Sequence, residues 1–417
     1  MASGLLCRMT DRGASRKPHP RLDPEAVLAK RSRLLLSAPM PPSSPPTYSD
    51  GTPFKLPINL GLNDGTYCSP KVLDVLAGVK NNAALRNYST NDNKPLLEII
   101  AAECRCKPEN IFLHNGSGPI LKQAIPEIIR QAIKSSPIRV MKHLLTKNGY
   151  PIITPSLTYG KVPLKAMNSG LQVRLVPLRA EENFKLNLGL LTAAIDQGDG
   201  LVYLANPNNP TGNVLITRDE LEPLLVKYPG TTFWIDEAYV QYISPERHRR
   251  IADLVTTYPN LFVLRTMSFA YGLAAVRVGY LLGRAELIKT LESQLTDYRI
   301  PALTEQIALA ALSDEQHLAW VRDASATARE VITQGLSKHA WLQVYPSEAN
   351  FLLVRITDGK RKAKPIAAAL LERGIKIKTF TNLPGYNFED LFRVTIGLPE
   401  ENRFFVEMFD DAVASGV

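Results

Sequence analysis

Cysteine and long apolar runs are both scarce in this chain of 417 residues. The four cysteines (Cys7, Cys68, Cys104, Cys106) are too few and too unevenly placed for a disulfide framework. Cys104-Arg105-Cys106 lacks the second pair that a zinc site would need, so no metal is expected. A reducing, cytoplasmic setting fits this usage. A membrane-spanning helix needs roughly 18 to 20 uninterrupted apolar residues, whereas runs such as Ile307 to Leu312 and Ile366 to Leu371 are short. No membrane partner is expected, and no internal repeat is visible. The net charge is +9, but residues 1–50 hold eight Lys/Arg against four Asp/Glu and so carry +4 of it. The rest is spread as on an ordinary solvated surface, and no nucleic-acid partner is expected.

What is present is enough apolar sequence, 45% of residues, to bury a large core and more than one domain. Residues 1–50 form a basic leader that ends in Pro41-Pro42-Ser43-Ser44-Pro45-Pro46 and is expected to be mostly disordered. An organelle transit peptide is the alternative, favoured by its arginines and opposed by Asp11, Asp23 and Glu25. Beyond the leader, strand-like runs at Ile111 to Leu113, Gly200 to Leu204 and Thr232 to Ile235 alternate with helical periods at Ile120 to Ile133 and Leu221 to Val226. That alternation predicts an α/β fold with a mostly parallel sheet covered on both faces. A strand ending at Leu264 and a helix from Arg284 to Asp297 continue it. A second unit is expected from Pro301, with helices through Leu336, strands at Leu342 to Val344 and Phe351 to Arg355, a helix at Pro365 to Arg373 and a last strand at Phe392 to Ile396. Ile133 to Gly149 reads as an insertion between a helix and a strand.

In open α/β sheets ligands bind at the carboxyl ends of strands, so the loops that follow strands are where chemistry is sought. His114-Asn115-Gly116-Ser117-Gly118 precedes a helix and reads as an anion cradle at a helix N-terminus or as a simple tight turn. Asn206-Pro207-Asn208-Asn209-Pro210-Thr211-Gly212 follows a strand end. Trp234 to Tyr239 is an apolar strand delivering Asp236 at its end, as a functional carboxylate or a helix N-cap. Arg265 to Tyr280 is a strand followed by a glycine-containing loop, and Leu391 to Gly397 is a strand carrying Arg393.

In this order, these runs resemble the class I/II aminotransferases of pyridoxal-phosphate fold type I, close to the histidinol-phosphate aminotransferase group. The resemblance extends from about residue 58 to the C-terminus. It implies a large cofactor-binding domain at 111–300 with a mostly parallel central sheet and a smaller α+β domain at 301–417. Residues 51–110 would supply an N-terminal arm and part of the small domain. It also implies roles residue by residue. Ser117, Gly118, Thr266, Ser268 and Arg277 would hold the cofactor phosphate, Arg277 as a bidentate clamp. Asn209 and Tyr239 would meet the phenolic oxygen, Asp236 the pyridine nitrogen, and Tyr159 would stack on the ring. Arg393 would hold the substrate α-carboxylate, and Asn350 matches a small-domain asparagine near the substrate. Tyr88 sits where a tyrosine reaches the phosphate of the neighbouring subunit, which implies a homodimer.

One position departs. The family's cofactor lysine lies eight residues before the match to Arg277, and this chain has Phe269 there, with Lys289 the next lysine downstream. The family also usually has an acidic residue where Gly118 stands. In the family that lysine holds the cofactor covalently and then moves a proton at the substrate α-carbon; phenylalanine does neither. The remaining pocket implies pyridoxal phosphate bound non-covalently, or pyridoxamine phosphate, with an amino acid as the small-molecule substrate. Tyr271 and Lys161 are candidate replacement bases by proximity in sequence. An atypical enzyme, a cofactor-binding pseudoenzyme that regulates or dimerises with an active relative, and an inactivated variant of an ordinary enzyme all fit this pattern.

Overall fold

The computed structural model describes residues 47–79, 92–146, 149–295, 300–383 and 385–416. The leader up to residue 46 and Tyr88 lie outside the described residues. The chain begins with β1 (Ile58–Asn59), α1 (Pro70–Gly78), α2 (Lys94–Cys104), β2 (Ile111–His114), α3 (Ser117–Lys134) and α4 (Pro137–Thr146). It continues with β3 (Ile152–Pro155), α5 (Lys161–Asn168), β4 (Val173–Val176), α6 (Leu188–Asp196), β5 (Leu201–Ala205), α7 (Arg218–Lys227), β6 (Thr232–Asp236), β7 (Leu261–Thr266) and β8 (Gly279–Leu282). Then follow α8 (Ala285–Glu292), α9 (Ala302–Leu312), α10 (Glu315–Leu336), β9 (Leu342–Val344), β10 (Phe351–Ile356) and α11 (Ala363–Glu372). The last elements are β11 (Ile375–Lys376), β12 (Lys378–Thr379), β13 (Leu391–Thr395) and α12 (Pro399–Ala414).

Seven strands form the main sheet in the order β2-β8-β7-β6-β5-β3-β4. Along β5 the side chains alternate between two cores. Leu201, Tyr203 and Ala205 face the helices α3, α5 and α8, whereas Val202 and Leu204 join the core on the other face. Both faces are covered, which is why these strands read as near-continuous apolar runs. Four antiparallel strands, in the order β12-β13-β10-β9, make a second sheet. Its buried face holds Phe392 and Val394 against Phe405 and Phe409 of α12 and Leu336 of α10.

Four features differ from the sequence expectation. β8 runs antiparallel to both β7 and β2, because the hairpin-like loop after β7 returns the chain alongside it instead of crossing over a face. α12 was not anticipated; its phenylalanines recur at helical spacing but follow directly on a strand. The apparent insertion at 133–149 folds in part as α4, whose Ile138, Met141, Leu144 and Leu145 are exposed. Residues 47–50, read as leader, are tied down: Tyr48 donates its hydroxyl to Glu401 at 2.8 Å and its ring meets Phe54 at 4.5 Å between centroids. Among the described residues no helix is long and apolar enough to cross a membrane.

Because Leu204 is fully buried at the centre of the main sheet, Leu204→Ala should cost about 2–5 kcal/mol through lost contacts and a residual cavity. Leu73→Ala, at a position 56% exposed on α1, should stay within about 0.5 kcal/mol. Urea unfolding of the two variants checks the contrast, and equal midpoints would contradict the assigned core.

Candidate active site

The polar residues gather at the carboxyl end of the main sheet. β2 ends at His114 and α3 starts at Ser117, with Gly116 between them at φ +91°. A side chain at Gly116 would strike the guanidinium of Arg277 as well as straining the backbone. Gly279, at the start of β8, pairs with both His114 and Thr266. That pairing draws the α3 N-terminus, the end of β7 and Arg277 to one place. The Thr266 hydroxyl lies 2.9 Å from Ser268 Oγ and 3.1 Å from the Val278 carbonyl, and accepts from the Ser268 N–H at 3.2 Å. Arg277 is held in the left-handed region at φ +65° and donates from Nη1 to the Ala274 carbonyl at 2.9 Å. Free amides at a helix N-terminus, two hydroxyls and an exposed guanidinium make an oxyanion cradle. Nothing lies within 4 Å of a Cβ built on Gly118, so the position has room for a larger residue.

Beside the cradle, Asp236 ends β6, buried at 6% exposure. Tyr203, on the neighbouring β5, donates its hydroxyl to Asp236 Oδ2 at 2.7 Å, and the Ala238 N–H donates to Oδ1 at 3.3 Å. Burial pushes the Asp236 carboxyl up to about 6, while those two hydrogen bonds pull it down. The group is therefore poised for a cationic partner.

Tyr239 follows directly after this strand. Its hydroxyl accepts from Asn63 Nδ2 at 2.9 Å and from Asn209 Nδ2 at 3.2 Å. Both lone pairs are used, and the phenolic proton is left to donate outward. Burial raises the Tyr239 pKa far above the ordinary phenol value, so it stays protonated near neutral pH. Asn209 is oriented in turn by Arg393, whose Nη1 donates to its Oδ1 at 2.6 Å, while Nη2 donates to the Gly61 carbonyl at 2.6 Å. Arg393 is 5% exposed; its Nε is buried without a partner, and one N–H on each Nη remains for an anion. Burial lowers its pKa without threatening its charge.

Two side-chain contacts anchor the Asn-Pro run. Asn206 Oδ1 accepts from Leu215 N–H at 2.7 Å, and Asn208 Nδ2 donates to the Leu157 carbonyl at 2.9 Å. Thr158 Oγ1 donates to Asn208 Oδ1 at 2.8 Å, which fixes the loop carrying Tyr159. The phenols of Tyr159 and Tyr239 each lie close enough to Tyr203 to raise its pKa.

Phe269 stacks on Tyr239, with ring centroids 4.5 Å apart and planes 17° apart. A side chain at Gly65 would run into the Phe269 carbonyl, so the 61–67 segment lies directly against this loop. Asn350 donates from Nδ2 to the carbonyls of Asn63 at 3.0 Å and Asp64 at 3.3 Å, leaving its buried Oδ1 without a partner.

The structure thus brings together Asp236, Tyr239, Asn209, Arg393, Asn350 and Phe269, with Ser117, Thr266, Ser268 and Arg277 at the cradle. It does not bring Tyr271 to them. That residue is buried in the main core, and its electrostatic neighbours are Glu103, Cys104 and Arg265. Lys161 is exposed at the start of α5, with Nζ 5.8 Å from the Tyr159 ring centroid. Sequence reasoning missed Asn63 and Tyr203. The polar run Gly61-Leu62-Asn63-Asp64-Gly65 was a signal for Asn63, which adopts φ +63°. Tyr203 was readable only from register: Ala205 pairs with Asp236, and Tyr203 lies one pleat back on the same face.

Residues 58–407 match the family described as aminotransferase class I and II. Histidinol-phosphate aminotransferase 2 of Pseudomonas fluorescens is 31% identical over 349 residues, covering 84% of this chain and 86% of that protein. Histidinol-phosphate aminotransferase 2 of Ralstonia nicotianae is 32% identical over 305 residues, covering 73% and 75%. In fold, the chain is similar to the crystal structure of histidinol-phosphate aminotransferase from Sinorhizobium meliloti in complex with pyridoxal-5'-phosphate. The TM-score there is 0.70 at 23% identity, covering 87% of this chain and 92% of that one. With the family matched over most of its length, this chain belongs to the class I and II aminotransferases.

Proposed function

We propose that this protein binds pyridoxal phosphate or pyridoxamine phosphate non-covalently and acts on an amino acid or related amine by chemistry that does not pass through a lysine at position 269. The observation that carries this reading is the Phe269 ring stacked at 4.5 Å on Tyr239, the tyrosine whose hydroxyl proton is left free to donate.

The donor set fits the cofactor. The cradle at Ser117, Thr266, Ser268 and Arg277 suits a phosphate, the outward-facing Tyr239 proton suits a phenolate, and Asp236 suits a protonated pyridine nitrogen. When bound, the cofactor supplies an electron-poor ring that stabilises negative charge on a substrate α-carbon. Asp236 keeps that ring protonated, and Tyr203 keeps Asp236 ionised. Arg393 orients an anionic substrate group through the N–H left on each of its Nη atoms. Phe269 provides neither a nitrogen to hold the cofactor nor a base. A positioned base is worth about 10² to 10⁴ in rate, so the same stack also favours a second reading, a cofactor-binding protein without turnover. The names of the relatives support a substrate like that of histidinol-phosphate aminotransferases, and the match at Tyr88 supports a homodimer, which light scattering checks.

Pyridoxal phosphate is expected to bind the native chain and to leave no borohydride-fixed adduct at residue 269 by mass spectrometry. Failure to bind either cofactor form would overturn both readings. An adduct on Lys161 would make that residue the replacement. In Phe269→Lys, a fixed adduct at 269 is expected, with amino-group transfer at least about 10²-fold above the native chain; an inert variant would show that the pocket has diverged elsewhere. Measurable turnover by the native chain separates the first reading from the second.

A pH profile tests Asp236. Ring binding needs its carboxylate, so affinity is kept above a pKa of about 6 and lost as pH falls through it. Tyr203→Phe removes a hydrogen bond worth roughly 1.5–3 kcal/mol to the charged form, so the loss should begin about one to two pH units higher. The ligand's own titration is common to both proteins. Superimposable profiles of pyridoxamine phosphate affinity would contradict the assignment.

A further inference from the structure

A second cavity, of about 530 Å³, lies behind the loop that follows Tyr239, and none of the residues placed in the active site lines it. Its walls carry six arginines against two carboxylates, Glu103 and Asp253. Three of the arginines are neutralised locally. Arg265 pairs with Glu237 and Glu103, Arg218 with Asp253 and Glu222, and Arg249 with Asp219. Arg105, Arg250 and Arg322 carry no ion pair among the described residues. Arg322 spends its Nε on the Gln241 carbonyl at 2.9 Å, which leaves both Nη groups without a protein partner there.

Gln241 also lines the cavity and is only 6% exposed, yet neither its Nε2 nor its Oε1 has a partner. Leaving a buried amide unsatisfied costs about 1–3 kcal/mol per group, so this wall of the cavity is polar and short of hydrogen-bond partners. His248, on the same wall, has a buried Nε2 that is likewise unpartnered.

We propose that this cavity is a second anion site, taking a small phosphate monoester. Two negative charges on one tetrahedral group match three guanidinium groups that line one space without a contact ion pair of their own. Gln241 stands in the cavity wall with its amide buried just behind the surface, where a side chain of opposite character would be felt by an anion inside.

The test is calorimetric titration of the full chain with glycerol 3-phosphate at constant ionic strength. It is run beside Arg105→Gln/Arg322→Gln, Gln241→Glu and Arg277→Gln, the last of which disables the cradle at α3. Binding should persist in Arg277→Gln and weaken at least about tenfold in the double arginine variant, each lost charge-assisted contact being worth about 1.5 kcal/mol or more. Gln241→Glu keeps the side-chain volume and should abolish binding by repulsion. Circular dichroism and unchanged unfolding without ligand establish that the variants are folded. The proposal is overturned if the native chain does not bind, if the double variant and Gln241→Glu bind as the native chain does, or if Arg277→Gln alone removes the signal.

Discussion

The arrangement of the candidate site depends on the need to satisfy buried polar groups where two sheets meet. Asn209 and Tyr239 follow strands of the main sheet, Arg393 and Thr395 lie on β13 of the second, and Asn63 comes from the segment after β1. Each orients the next: Arg393 holds Asn209, Asn209 and Asn63 hold the Tyr239 hydroxyl, and Thr395 donates to Asn63 Oδ1 at 2.9 Å. In a region closed to water such a chain is stable only when its members agree in orientation. The Tyr239 proton and one N–H on each Nη of Arg393 are what the chain leaves over.

Phe269 is accommodated within that constraint. It asks nothing of the network, since a phenyl ring has no polar group to satisfy, and it contributes stacking area against Tyr239. The polar groups around it therefore keep their hydrogen bonds whatever stands at position 269.

Much of the site was legible because its residues sit in contiguous runs at strand ends. The Asn-Pro run, the apolar strand ending in Asp236 and the loop from Thr266 to Arg277 could each be read locally, and the structure brings them together. Tyr271 shows the limit of such reading. Two residues beyond Phe269 in sequence, it turns into the main core because the loop reverses direction at Gly272, φ +67°. The antiparallel β8 was hidden for a related reason: period-two alternation is the same in both directions, so direction is set by the connection.

By itself the sequence determined the alternation of strands and helices, the order of the chemical motifs and the absence of a lysine at position 269, since each is a property of neighbouring residues. Only the tertiary structure decided that Tyr203 supports Asp236, that Asn63 shares the Tyr239 hydroxyl, and that arginines without ion pairs line one cavity with a buried Gln241. These depend on register and packing between segments far apart in the chain, where a side chain's partner is fixed by which faces are pressed together and not by what stands beside it in sequence.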